Sequence, residues 1–70
     1  MPKFSQIKPI EMLRLLEKHG FIQLRQKGSH LIMVNKETDK QVVVYMHPGS
    51  LKKGTIHTIL KRAGLDRELI

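Results

Sequence analysis

Phe21-Ile22-Gln23-Leu24-Arg25-Gln26, then Lys27-Gly28-Ser29, then His30-Leu31-Ile32-Met33-Val34, is the stretch that decides the fold. Phe21–Gln26 alternates weakly between apolar and polar residues. Leu31–Val34 is aliphatic throughout, as strands with buried positions are. The linker Lys27-Gly28-Ser29 is short enough for a hairpin. Further on, Val42–Met46 is rich in β-branched residues, and Asn35–Lys40 before it is polar and turn-forming. Three consecutive strands with such short links form an antiparallel meander.

Helical patterns flank the meander on both sides. In Pro9–His19, Ile10, Met12, Leu13, Leu15 and Leu16 fill one arc of a helical wheel, and Glu11, Arg14, Glu17 and Lys18 fill the rest. Pro9 suits the first helical position, and Gly20 supplies a left-handed cap. In Thr55–Ala63, Ile56, Ile59, Leu60 and Ala63 recur at i, i+3, i+4, i+7, with Gly54 read as the N-cap and Gly64 as the C-terminal cap. Asp66–Ile70 reads as the start of a further turn. The expected fold is α+β, in the order α-β-β-β-α. Both helices should lie on one face of a three-stranded antiparallel sheet, because each has one apolar side to bury. Ile10, Leu13, Leu16, Ile56, Ile59 and Leu60 are the expected core.

The chain has 70 residues, 40% of them hydrophobic, and no cysteine. That length suits one small domain, residues 1–70, with a thin core. The lack of cysteine excludes disulfides and zinc–thiolate sites. Apolar runs such as Val42–Met46 are too short to span a membrane. Met1–Ser5 shows no apolar signal-peptide core, so the expected location is the cytoplasm. Thirteen Lys and Arg against six Asp and Glu give a net charge of +7. So basic a small domain favours a polyanion, most often nucleic acid.

The candidate chemistry centres on His30, held at a strand start beside Lys27 and Ser29. Histidine can take and give protons near neutral pH. On a basic chain that arrangement points to acid/base work on a phosphodiester. Four histidines are present. His19 reads as a surface cap at a helix end, and His57 as part of a solvated helix face. His47 ends the third strand, so antiparallel pairing would bring it near His30. No set of residues has metal-ligand spacing, and no metal or other cofactor is expected. The loop His47–Thr55, with Lys52 and Lys53 at a helix start, offers a second phosphate site, though without the spacing of a P-loop.

Gly20-Phe21, Lys27-Gly28-Ser29-His30, His47, Lys53-Gly54-Thr55 and Ile59-Leu60-Lys61-Arg62-Ala63-Gly64-Leu65 stand in one order on an α-β-β-β-α chain. Together they resemble the HicA family of prokaryotic toxins, over nearly the whole length. Tyr45 stands where many members carry proline. The resemblance implies a fold like the double-stranded RNA-binding domain. It also implies an mRNA interferase restrained by a HicB-type antitoxin, with the functional histidine at His30. RNA and that antitoxin are the expected partners, and the free chain is expected to be a monomer. Lys27, Gly28, Ser29, Lys52 and Lys53 are the expected RNA-binding residues. Cleavage without a metal would use the substrate's 2′-hydroxyl as nucleophile, with His30 as general acid or base and the second group being His47 or a lysine. The alternative is a non-catalytic RNA-binding module of the same fold. A small basic protein that only docks on an acidic partner is a third possibility.

Overall fold

A computed structural model describes residues 7–65; the turn expected at Asp66–Ile70 lies outside them. Helix α1 (Pro9–Lys18) leads into strands β1 (Ile22–Lys27), β2 (His30–Asn35) and β3 (Lys40–Tyr45), and helix α2 (Lys53–Arg62) follows. The sheet order is β1-β2-β3 and both pairings are antiparallel. The α-β-β-β-α meander read from the sequence is the observed fold.

Both helices begin at an extended lysine and end in the same kind of cap. Lys8 and Lys52 are the N-cap residues, each with an extended backbone. The Lys8 amide donates to the Glu11 carboxylate at 2.8 Å. At the other end Phe21 N–H donates to the Leu16 carbonyl and Gly20 N–H to that of Glu17. Leu65 N–H donates to Leu60 and Gly64 N–H to Lys61 in the same way. These are Schellman caps, which need a left-handed residue just after the helix. Gly20 (φ +95) and Gly64 (φ +76) supply it. Gly54 is not the N-cap expected of it: α2 starts earlier, and Gly54 lies inside its first turn.

One face of the sheet is covered. Leu31 and Met33 of β2 pair with Val44 and Val42 of β3, and all four are buried with Met12, Leu13 and Leu16 of α1 and Ile56, Ile59 and Leu60 of α2. Both helices therefore lie on one side, and both pack against β3. Ile10 departs from the expected core: it is 43% exposed, whereas Met12 is fully buried. The buried stripe of α1 is Pro9, Met12, Leu13 and Leu16. Pro9 takes the i position of that stripe, and Ile10 lies about 100° further round the helix.

The register of β1 shifts between Gln23 and Arg25. That bulge explains the weak alternation of the sequence. Ile22 pairs with Val34, Arg25 with Ile32 and Lys27 with His30, so Arg25 rather than Leu24 joins the uncovered face. Asn35, expected in a loop, is instead the buried last residue of β2. Its Nδ2 donates to the His19 carbonyl, and its Oδ1 accepts from the Glu37 and Thr38 amides. One side chain thus ties the end of α1 to the β2–β3 turn.

Candidate functional site

The β1–β2 turn contains only Gly28 and Ser29, because Lys27 pairs directly with His30. Gly28 has φ +59, while Ser29 is not left-handed. A positive φ at the first central residue alone is the pattern of a type II′ turn, which matches the twist of the strands it joins. The Gln26 side chain braces the turn by donating to the Gly28 carbonyl at 3.0 Å. Lys27, Gly28, Ser29 and His30 are therefore together at one corner of the sheet, and all are exposed.

His30 faces the uncovered side of the sheet, where its cross-strand partner is Tyr45. The Met46 amide donates to the Ser29 carbonyl at 2.7 Å. The next pair, His30–Tyr45, is thus of the non-hydrogen-bonded kind, whose side chains stand closer. The two rings are 4.1 Å apart between centroids and tilted by 56°. The His47 ring lies 6.5 Å from the same tyrosine ring. Both histidines therefore neighbour Tyr45 at one end of the sheet. Tyr45 was not among the site residues expected from the sequence. The available signal was register: a pair at Asn35 and Lys40 around the β2–β3 turn sets Tyr45 opposite His30 by counting outward.

His47 Nδ1 lies 3.0 Å from the Pro48 carbonyl. A carbonyl only accepts, so Nδ1 donates in this contact and Nε2 takes no part in it. His47 also borders a hollow of about 360 Å³ that it shares with Lys8, Ile10 and Met46. Arg25 and Lys27 share the uncovered face with His30 through the β1–β2 register. The site is thus two imidazoles and a phenol on an exposed, basic sheet corner.

Lys52 and Lys53 stand on a different element, at the start of α2. No side chain caps that helix start. Lys52 faces a groove shared with Val42 and Val43. His19 caps α1 as expected, and His57 is half-buried on α2 rather than fully solvated. Among the described residues no three His, Asp or Glu side chains gather as a metal would require. No helix among them is long and apolar enough to cross a membrane.

The family model described as HicA toxin of bacterial toxin-antitoxin matches residues 11–65. The chain belongs to the HicA toxin family. The match runs from the first turn of α1 to the residue after the Gly64 cap, and so contains His30, Tyr45, His47 and Lys52. No curated protein matches the chain. Membership makes this chain the toxin of a toxin–antitoxin pair and implies an antitoxin partner.

Proposed function

We propose that this HicA chain is an endoribonuclease acting on mRNA in the cytoplasm, with His30 as a general acid or base, neutralised by a HicB-type antitoxin. The observation that carries the reading is the exposed His30 ring held against Tyr45, on the face that also presents Arg25 and Lys27. The cations would bind the phosphodiester. A base removes the 2′-hydroxyl proton, the 2′-oxygen attacks phosphorus, and the bond to the 5′-oxygen breaks. An acid returns a proton to that oxygen. The products are a cyclic phosphate and a 5′-hydroxyl, and DNA is spared because it lacks the nucleophile. His30 takes one proton-transfer role. His47, whose Nε2 is left free by the Pro48 contact, supports the other. Ser29 and the Gly28 backbone lie beside the bound phosphate, and Lys52 and Lys53 hold RNA further along.

The test is cleavage of RNA by the purified chain in excess chelator. Cleavage should persist in chelator and give cyclic phosphate ends. His30→Ala should lower the rate by at least about 100-fold, within the range of general acid–base catalysis, while RNA binding is largely kept. A variant that binds and cuts like the parent would remove His30 from the chemistry. A parent that binds RNA but never cuts it would establish the non-catalytic module instead.

A further inference from the structure

Among the described residues no strand pairs with the outer edge of β3, and the phase of the ladder decides which of its groups face outward. Ser29 and Met46 form a hydrogen-bonded pair, and such pairs alternate along an antiparallel ladder. With His30 opposite Tyr45 and Ile32 opposite Val43, the amides and carbonyls of Gln41, Val43 and Tyr45 point away from β2. None of these groups has a hydrogen-bond partner among the described residues.

A groove of about 600 Å³ runs along this edge. Val42 and Val43 both line it. Consecutive strand residues point to opposite faces, so a groove touching both follows the edge itself. Its far wall is one side of α2, formed by Thr55, Thr58, Ile59 and Arg62 at i, i+3, i+4, i+7 spacing. Lys52 stands at the other end of the helix from Arg62 and lines the same groove.

We propose that this groove receives an extended, acidic segment of the antitoxin, added to the sheet as a fourth strand beside β3. The inference rests on the antitoxin partner that family membership implies, and not on RNA cleavage. A free strand edge flanked by a helix is a geometry that captures peptides through their main chain. Lys52 and Arg62 are roughly 15 Å apart along the axis of α2 at its usual rise per residue. An extended chain covers that span with about four or five residues. Two acidic residues at that separation would meet the two cations, and the side chain between them would lie against Thr55 and Thr58, which are exposed on the groove wall. RNA fits less well, because its phosphates only accept and its donors do not alternate with acceptors at the strand spacing that Gln41, Val43 and Tyr45 present. A second copy of this chain, with net charge +7, would set like charges against each other at Lys52 and Arg62.

The test is amide hydrogen exchange of the free chain and of its co-expressed complex with the antitoxin. In the complex, exchange should slow most at Gln41, Val43 and Tyr45. Val42 and Val44, already bonded to β2, should change less. Val43→Pro deletes one outward donor without touching the ladder, since proline is tolerated at outward edge positions. It should weaken antitoxin binding roughly fivefold to tenfold, the scale of one lost hydrogen bond. Should that variant fail to fold, a synthetic chain N-methylated at Val43 makes the same deletion and keeps the side chain. His30→Ala should give the same protection as the parent, which separates this result from the cleavage reading. Protection confined to the uncovered sheet face would overturn the proposal. So would parental binding by both altered chains, or β3 protection by a short single-stranded RNA in place of the antitoxin.

Discussion

His30 owes its placement to two residues of opposite kinds. Gly28 lets the hairpin close in two residues, and Tyr45 supplies a ring for the imidazole to rest on. If Tyr45 orients His30, Tyr45→Ala should lower kcat for RNA cleavage by about 10- to 100-fold, as small misplacements do, with KM little changed. Tyr45→Phe keeps the ring contact and should restore most of the rate. A matching loss in both variants would instead point to the phenol. Asn35 is the corresponding structural residue. It is the buried polar side chain among the described residues, and all its hydrogen bonds go to backbone. Asn35→Ala would leave the His19 carbonyl and the turn amides without their partner, and should cost about 1–3 kcal/mol in a urea melt. Asn35→Asp keeps the acceptor for Glu37 and Thr38 but loses the donor to His19, so it should fall between.

The helices set stability at the next scale. Met12 and Ile10 look alike in an apolar count, yet one is fully buried and the other largely exposed. Met12→Ala should cost about 2–5 kcal/mol, whereas Ile10→Ala should stay within about 0.5 kcal/mol. Equal losses in thermal denaturation would return Ile10 to the core. The glycines divide in the same way. Gly20 has φ +95, and an added Cβ would lie 3.1 Å from the Asn35 amide nitrogen. Gly20→Ala must therefore strain the cap and crowd the side chain that anchors it. Gly54 lies inside α2 with nothing within 4 Å of an added Cβ. There alanine should stabilise by about 0.5–1 kcal/mol, because it restricts the unfolded chain more than the helix.

Across the whole molecule, burial is one-sided and charge is not. The helices take one face of the sheet; Ile22, Val43 and Tyr45 remain exposed on the other, beside Arg25 and Lys27. A mixed apolar and basic face suits a partner that can cover the first and neutralise the second. For RNA, the electrostatic share is measurable. Affinity should fall linearly with the logarithm of salt, and replacing Arg25 or Lys27 by Gln should each reduce that slope by about 0.7, the value for one phosphate contact on a single strand. An unchanged slope in both variants would place the RNA elsewhere, with Lys52 and Lys53 the next pair to replace.

Local pattern alone determined the element order. Helical periodicity at Met12, Leu13 and Leu16, aliphatic runs at Leu31–Val34 and Val42–Met46, and glycines after each helix are short-range signals, and each is satisfied by its own neighbours. His30 was legible for the same reason, since Gly28-Ser29 sets it at a strand start. What lies across a strand or under a helix is a long-range matter. Tyr45 joined the candidate site through register, which the β2–β3 turn and the buried Asn35 set together. The bulge after Gln23 shifted the phase of β1 and put Arg25 beside Ile32. Ile10 left the core because Pro9 took its place in the stripe. The groove at β3 exists only once α2 is laid beside a strand edge. Side-chain periodicity says which face an element buries, but main-chain pairing decides which backbone groups stay free, and that pairing is made only when the chain has folded.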